Sequence, residues 1–297
     1  MKPAPFEYHR AYTPKEVTEL LLELGEDAKI LAGGQSLVPM MNFRLARPTA
    51  LVDINPVSGL DYIRRDGDVL RVGALTRHRS VELSTEPDVH NGFSVLPGAA
   101  RWIGHFPIRS RGTVGGSIAH ADPTAEWCLL ARLYDAEIVV LGEHGTRTVP
   151  SDEWFTGFLT TAALPGELVL ETRFRRPRRH GTLLEYARRR GDFAIAAVAV
   201  AFDITDNRCH DVSMVLGGVA NEPLRVPEAE AYLEGAEPGE RAWAEAARLA
   251  AEAVTPGTGP DDGDHGYRRH LVGTLARRAL AEAQAGPAGP RPRGGAS

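Results

Sequence analysis

Apolar positions along the chain fall into short blocks of two different periods. Val17, Leu20, Leu21 and Leu24 recur at helical spacing behind Thr13-Pro14-Lys15-Glu16, and Gly25 follows them. A threonine three residues ahead of a glutamate, proline at the first helical position and glycine past the last turn mark both ends of a helix. Residues 28–32 read as a short apolar strand, 37–45 as a helix with Pro39 in its first turn, and 49–54 as a buried strand. These elements predict a first α/β lobe over residues 1–56.

The pattern then changes. Residues 60–64 and 69–74 flank Asp66-Gly67, a hairpin signal. Helical spacing is predicted over 76–84, 94–104 and 123–134, the last with Asp122 as N-cap and Pro123 at its first position. Residues 136–141 form a strand that His144-Gly145 turns back through 147–149; Ser151 opens a short helical segment, and 167–175 is a strand. Residues 193–204 and 209–219 read as two antiparallel strands around Asp206-Asn207. Helices follow over 227–233, 240–254 and 267–283, with a loop over 255–260. Beyond Gly286 the composition of proline, glycine and arginine predicts a disordered tail, 287–297. Pro177 and Gly181 break any regular element, which places a domain division at 176/177: a two-lobed domain (1–56 and 57–176) followed by a domain of antiparallel sheet and helices (177–286). The fold class is α+β.

Composition narrows the function. With 297 residues, 43% hydrophobic and 25% charged, the chain has room for two packed domains of ordinary soluble type. No run of eighteen apolar residues is present to span a membrane. The N-terminus lacks the apolar core of a signal peptide, so the expected location is cytoplasmic. A net charge of −5 argues against general nucleic-acid binding. Cys128 and Cys209 are the only cysteines and neither belongs to a C-x-x-C. An iron–sulfur cluster needs four thiolates, so this chain alone cannot hold one. Redox chemistry here would fall to an organic cofactor. There is no H-E-x-x-H, and no G-x-G-x-x-G behind a strand, which argues against a Rossmann nucleotide site.

Two glycine segments carry the candidate chemistry. Lys29, Ile30 and Leu31 lead into Ala32-Gly33-Gly34-Gln35-Ser36, and Leu37 opens the next helix. Downstream, Arg111 and Gly112 precede Thr113-Val114-Gly115-Gly116-Ser117. Paired glycines let a chain turn tightly and converge its N–H groups on an anion. One Gly-Gly pair is also an ordinary turn. Two pairs, each with a hydroxyl close behind and a helix start beyond, suit a ligand with two phosphates. The amides of residues 33–36 are expected to hold one phosphate and those of residues 113–117 the other. His120 and Asp122 lie where they could meet ribose or pyrophosphate oxygens; His120 reads equally well as a structural histidine. Trp127 is expected in the core.

The segments Ala-Gly-Gly-Gln-Ser-Leu-Val-Pro-Met-Met (32–41) and Arg-Gly-Thr-Val-Gly-Gly-Ser-Ile-Ala-His-Ala-Asp-Pro (111–123) resemble the two FAD loops of the medium subunits of molybdenum hydroxylases. Aerobic carbon monoxide dehydrogenase is the nearer branch and the xanthine dehydrogenase FAD domain a more distant one. The resemblance extends from about Phe6 to about Leu280. It implies a two-lobed FAD-binding domain of the PCMH (vanillyl-alcohol-oxidase-like) type. It also implies non-covalent FAD, one per chain, that takes electrons from a partner and releases them to an external acceptor. A large subunit would hold the molybdenum–pterin cofactor and a small subunit two [2Fe-2S] clusters, as a dimer of heterotrimers. Ile103 and Val169 match apolar positions flanking the cofactor. Glu126 stands where the family usually has an aspartate touching it, and Phe193 matches the residue lying against the isoalloxazine ring. An aromatic side chain there can stack on the flavin; packing in the core of the second domain is the other reading of Phe193. Relatives often carry lysine in the preceding strand, where this chain has Leu184-Glu185-Tyr186-Ala187. Two rivals are a self-contained flavin oxidase of the vanillyl-alcohol-oxidase type and a non-catalytic assembly subunit. The small C-terminal part and the intact glycines count against them.

Eight arginines lie between Arg173 and Arg190. Such a run is a solvated face, or a docking surface for an acidic partner or for the outer edge of the cofactor.

Overall fold

A computed structural model describes residues 2–256 and 265–286. The predicted tail and the part of the 255–260 loop beyond Pro256 lie outside them.

The first lobe runs β1 (Glu7–Arg10), α1 (Pro14–Leu24), β2 (Ala28–Leu31), α2 (Leu37–Asn42) and β3 (Ala50–Asp53). Its sheet has the order β1-β3-β2 and is parallel throughout. The capping box forms as expected: the amide of Glu16 donates to Thr13 Oγ1 (3.2 Å), and the amide of Thr13 to Glu16 Oε2 (3.1 Å). Strand β1 escaped the hydropathy pattern because Glu-Tyr-His-Arg has no apolar alternation. It is held by pairing with β3 and by the Tyr8 hydroxyl, which donates to Asp53 Oδ2 at 2.5 Å.

The second lobe begins with the predicted hairpin, β4 (Ile63–Asp66) and β5 (Val69–Gly73), turned at Gly67 with φ +59°. Six short helices follow: α3 (His78–Glu82), α4 (Pro87–Phe93), α5 (Val95–Ala100), α6 (Phe106–Arg111), α7 (Val114–His120) and α8 (Glu126–Leu133). Next come β6 (Glu137–Gly142), β7 (Gly145–Pro150), α9 (Ser151–Trp154), a small hairpin of β8 (Phe155–Gly157) and β9 (Thr160–Thr161), and β10 (Leu168–Phe174). The five-stranded sheet β4-β5-β10-β6-β7 is antiparallel. Helix α8 starts three residues later than predicted. Asp122 does not cap it: its Oδ1 accepts from the amide and the hydroxyl of Thr124 (2.8 and 2.7 Å), closing a turn ahead of the helix.

The C-terminal part is the antiparallel sheet β11 (His180–Tyr186), β12 (Ala196–Thr205), β13 (Arg208–Gly217) and β14 (Leu224–Arg225), followed by α10 (Pro227–Leu233), α11 (Glu240–Glu252) and α12 (His265–Ala285). Asp206 and Asn207 both take positive φ (50° and 57°) in the two-residue turn between β12 and β13, matching strand twist. Strand β12 is buried on both faces. Ala197, Ala199 and Ala201 enter the core of the second lobe beside Trp127 and Leu129, while Val198, Val200 and Phe202 enter a separate core under α10, α11 and α12. The sheet is therefore shared between two layers, and its period-two alternation assigns small side chains to one and large ones to the other.

Four arginines of the basic run lie at this junction. The Arg178 side chain is fully buried; it donates to Asp211 Oδ2 (3.0 Å), the carbonyl of Leu133 (2.9 Å) and Ser213 Oγ (2.9 Å). Arg176 pairs with Asp135 and Asp211, Arg175 with Glu137 (2.7 Å) and Arg173 with Glu171 (2.7 Å). Arg176 and Arg178 join the two parts of the chain, whereas Arg173 and Arg175 pair within the second lobe; all four are occupied rather than forming a free docking face, which corrects the docking alternative for this half of the run.

Candidate cofactor site

The two glycine segments meet. A Cβ on Gly33 would lie 2.4 Å from the carbonyl oxygen of Arg111 and 2.7 Å from Cα of Gly112, so only glycine allows this approach. Gly116 faces the same seam, where a Cβ would be 3.9 Å from that of Ala32.

On the first side, α2 is entered by a backbone whose donors are unused. Among the described residues, the amides of Gly33, Gly34, Gln35, Ser36 and Leu37 have no hydrogen-bond acceptor. The acceptors nearby are already occupied. The Gly33 carbonyl takes Gln35 Nε2 (2.9 Å), the Ala32 carbonyl takes Asn55 Nδ2 (2.8 Å) and the Leu31 carbonyl takes the amide of Ile54 (3.1 Å). Gly34 holds φ +72°, the left-handed turn that swings successive N–H groups to one side. Lys29 is exposed, and Ile30, Leu31, Ala32 and Leu37 are half-buried around this turn.

The second side is built differently. Residues 114–120 form a helix, not an open loop, and Thr113 is its N-cap. The amide of Val114 donates to Thr76 O (2.9 Å), that of Gly115 to Ala74 O (3.0 Å), that of Gly116 to Thr113 Oγ1 (3.0 Å) and that of Ser117 to Thr113 O (3.1 Å). The expectation that amides 114–117 form a second nest is corrected: their donors serve the fold. Gly115 is bare because a Cβ would lie 2.5 Å from that of Ala74. Thr113, Val114 and Gly115 are buried, whereas Gly116 and Ser117 reach the surface of the seam.

Three residues that the pattern reading missed complete the seam. Arg77 donates from Nη1 to the carbonyl of Arg111 and from Nη2 to Asn55 Oδ1 (2.7 Å), bridging both segments. It is half-buried and no carboxylate pairs with it among the described residues; burial and the neighbouring Arg111 both work against its charge. Asn55 links Asp53 Oδ1 (2.6 Å) to the first loop. Beneath them His78, 5% exposed, accepts the indole N–H of Trp127 on Nδ1 (2.9 Å); burial holds its pKa down to about 3, so it is a neutral core group. None of these stood out because an isolated Arg, Asn or His has no local pattern; only the fold gathers them.

The remaining predicted residues fall into two groups. Ile103 and Val169 are 9% and 7% exposed and pack in the core of the second lobe. His120 ends α7 half-buried, with its pKa lowered by burial against the opposing pull of Asp122. Glu126 opens α8, and burial together with Glu185 on β11 raises its pKa well above the carboxylate range; Glu185 is itself pushed up to about 7 by burial. The Glu126 carboxyl accepts from its own backbone amide, and neither carboxyl has a cation partner among the described residues. Phe193 is 74% exposed on the connection between β11 and β12, which overturns core packing as its role.

Among the described residues, five unpaired amides beside a half-buried guanidinium that has no ion-pair partner, though Asp61 and Asp53 favour its charge from further off, fit the donor requirements of a diphosphate. Gly116 and Ser117 form a half-buried wall across the seam, and Phe193 is an exposed aromatic.

Comparison with known proteins agrees with this geometry. The family described as FAD binding domain in molybdopterin dehydrogenase matches residues 4–175, and that described as CO dehydrogenase flavoprotein C-terminal domain matches 182–283. The chain is 37% identical over 286 residues to the 6-hydroxypseudooxynicotine dehydrogenase complex subunit alpha of Paenarthrobacter nicotinovorans, covering 95% of this chain and 96% of that one. It is 35% identical to the carbon monoxide dehydrogenase medium chain of Afipia carboxidovorans, covering 96% and 99%. The fold superposes on a solved structure of carbon monoxide dehydrogenase from Hydrogenophaga pseudoflava with a TM-score of 0.90 at 35% identity, covering 96% of this chain and 99% of that chain. By sequence, by fold and by the loops that meet at the seam, the chain belongs to the FAD-binding medium subunits of the molybdenum hydroxylases, an FAD-dependent oxidoreductase family.

Proposed function

We propose that the chain is the electron-transfer subunit of a cytoplasmic molybdenum hydroxylase complex. It takes electrons from [2Fe-2S] clusters on a small partner subunit and delivers them through non-covalent FAD to an external acceptor. A large partner subunit carries the molybdenum–pterin cofactor, and the assembly is a dimer of heterotrimers. The division at 176/177 separates the FAD-binding domain from the C-terminal domain.

The observation that carries this reading is the run of five unpaired amides at residues 33–37 beside Arg77. Hydrogen bonds to a charged group are worth about 1.5–3 kcal/mol each, and a few of them supply much of the roughly 8–12 kcal/mol of micromolar-to-nanomolar binding. The amides and Arg77 hold the diphosphate, Gly116 and Ser117 close the other wall, and Phe193 covers the ring. FAD supplies the change between one-electron and two-electron chemistry; the chain supplies position, exposure and electrostatics. His120, Asp122 and Glu126 line the approach to the same site, and Ile103 and Val169 support it from the core.

The test is the visible spectrum of the purified full-length chain, followed by acid precipitation and chromatography of the supernatant. We expect a flavin spectrum, one FAD per chain in the supernatant, and no bleaching by hydroxylase substrates added without the partner subunits. Release of FMN, or colour that stays in the pellet, would overturn non-covalent FAD. Bleaching by substrate alone would favour a self-contained oxidase.

A further inference from the structure

The eight arginines between Arg173 and Arg190 part company in three dimensions. Arg173, Arg175, Arg176 and Arg178 are taken up by carboxylates, the first two within the second lobe and the last two at the domain junction. Arg188, Arg189 and Arg190 are exposed, and none of their side chains has an ion pair or hydrogen bond among the described residues. They stand on the 187–195 connection between β11 and β12, the same connection that carries Phe193.

This connection is held in place. Its neck is closed by the amide of Ile195 donating to the Tyr186 carbonyl (2.8 Å), and Arg268 Nη1 donates to the Ile195 carbonyl (2.7 Å). Its middle rests on α6: Gly191 takes φ +88°, and a Cβ there would lie 2.4 Å from the ring of His105, the residue that starts α6. Helix α6 runs directly to Arg111 and Gly112 at the seam. The loop that presents the three arginines and the exposed Phe193 is thus tied down at its neck and its middle. Asp192 is the only carboxylate within residues 187–195, so positive charge is in local excess on a chain whose net charge is −5. Charge of one sign gathered at the mouth of a site raises the encounter rate of oppositely charged reactants, by about 10- to 1,000-fold, and lowers that of like-charged ones.

We propose that Arg188, Arg189 and Arg190 form an electrostatic selector for the electron acceptor, drawing small anionic oxidants to the flavin edge at Phe193 and turning cationic ones away. The proposal rests on the FAD reading given above. In each turnover the oxidant collects two electrons from the reduced flavin, whose proton passes to water. With ferricyanide, two ions each take one electron and leave as ferrocyanide.

The experiment uses the full-length flavoprotein, reduced without air and mixed in a stopped-flow instrument with ferricyanide (anionic), p-benzoquinone (neutral) or hexaammineruthenium(III) (cationic). Raising salt from about 10 mM to about 500 mM shortens the screening length several-fold. In the unaltered protein this is expected to slow ferricyanide at least about tenfold, speed the ruthenium complex and leave benzoquinone within about twofold. The triple change Arg188→Glu, Arg189→Glu and Arg190→Glu is expected to slow ferricyanide by at least about tenfold at low salt, to speed the ruthenium complex and to spare benzoquinone. A ferricyanide rate that ignores salt in the unaltered protein overturns the selector, and so does a triple variant that keeps its ferricyanide rate. A benzoquinone rate that falls in parallel also overturns it, since the loop would then be acting through shape. If the triple variant loses flavin, the salt series on the unaltered protein decides. The spectrum separates the two readings: a chain without flavin sinks the cofactor site and the selector together, whereas bound flavin with charge-blind reoxidation sinks the selector alone.

Discussion

At Gly33 the carbonyl oxygen of Arg111 stands 2.4 Å from where a Cβ would be, and that oxygen belongs to backbone that cannot swing aside. At Gly34 the obstacles are the ends of Leu31 and Val38, each at 3.2 Å, and the constraint is φ +72°. The two neighbours should therefore fail differently. Gly33→Ala is expected to part the two loops, lowering the melting temperature and abolishing flavin binding together. Gly34→Ala should keep the fold at a cost of about 1–2 kcal/mol for a left-handed Ala, and bind FAD more weakly as the amides turn away. Thermal melts alongside titration of flavin fluorescence check this; equal behaviour of the two variants would mean that the amides are not the binding groups. Gly116 differs again: its backbone is not left-handed, and a Cβ there would lie 2.7 Å from the Thr113 hydroxyl that caps α7.

Among the elements, the junction at Arg178 is the most exacting. Removing the fully buried Arg178 guanidinium empties its volume and takes its donor from the Leu133 carbonyl, while Asp211 keeps Arg176 and Ser213 keeps Arg225; an unsatisfied buried group costs about 1–3 kcal/mol. Arg178→Ala is expected to lower the melting temperature strongly and to open the 176/177 region to limited proteolysis. A variant as resistant to protease as the parent would show that the sheet contacts alone hold the junction. Local signals made many elements legible: the Thr13 capping box and the turns at Asp66-Gly67 and Asp206-Asn207 all act within a few residues. What stayed hidden depends on distant partners. Strand β1 forms because Asp53, far along the chain, accepts from Tyr8. Residues 114–120 are helical despite Gly115-Gly116 because Thr76 and Ala74 take the first amides and Thr113 caps the turn. The glycines of residues 33–36 marked the first loop in the sequence, but Arg77, Asn55 and the consumption of the second set of amides had no local signal, since each is settled by tertiary contact.

For the molecule as a whole, two buried groups set opposing responses to pH. His78 is held neutral in the fold down to about pH 3 but takes up a proton near 6.5 when unfolded. The unfolded chain then binds more protons, so this contribution is complete above pH 6.5 and falls by about 1.4 kcal/mol per unit as pH drops toward 3. Glu185, pushed up to about 7 in the fold, ionises near 4.5 when unfolded. Here the folded chain binds more protons; the cost is absent below pH 4.5, grows between 4.5 and 7 and is complete above. Glu185→Gln is accordingly expected to raise the melting temperature at pH 8 and to leave it unchanged at pH 4. His78→Gln, which keeps an acceptor for Trp127, should flatten the loss of stability between pH 6.5 and 4. Melts across that range test both, and a Glu185→Gln gain that persists at pH 4 would exclude titration as its cause.

The alanines of β12 have a mechanical consequence. Because Ala197, Ala199 and Ala201 are the side chains turned toward the second lobe, the sheet lies close against it. A larger residue at any of them would act as a wedge at the foot of a lever. The far arm of that lever is the connection bearing Phe193, which enters β12 directly at Ala196. On the FAD reading proposed above, bulk added deep in the interior would change how closely the Phe193 ring approaches the cofactor without altering any residue proposed to touch it.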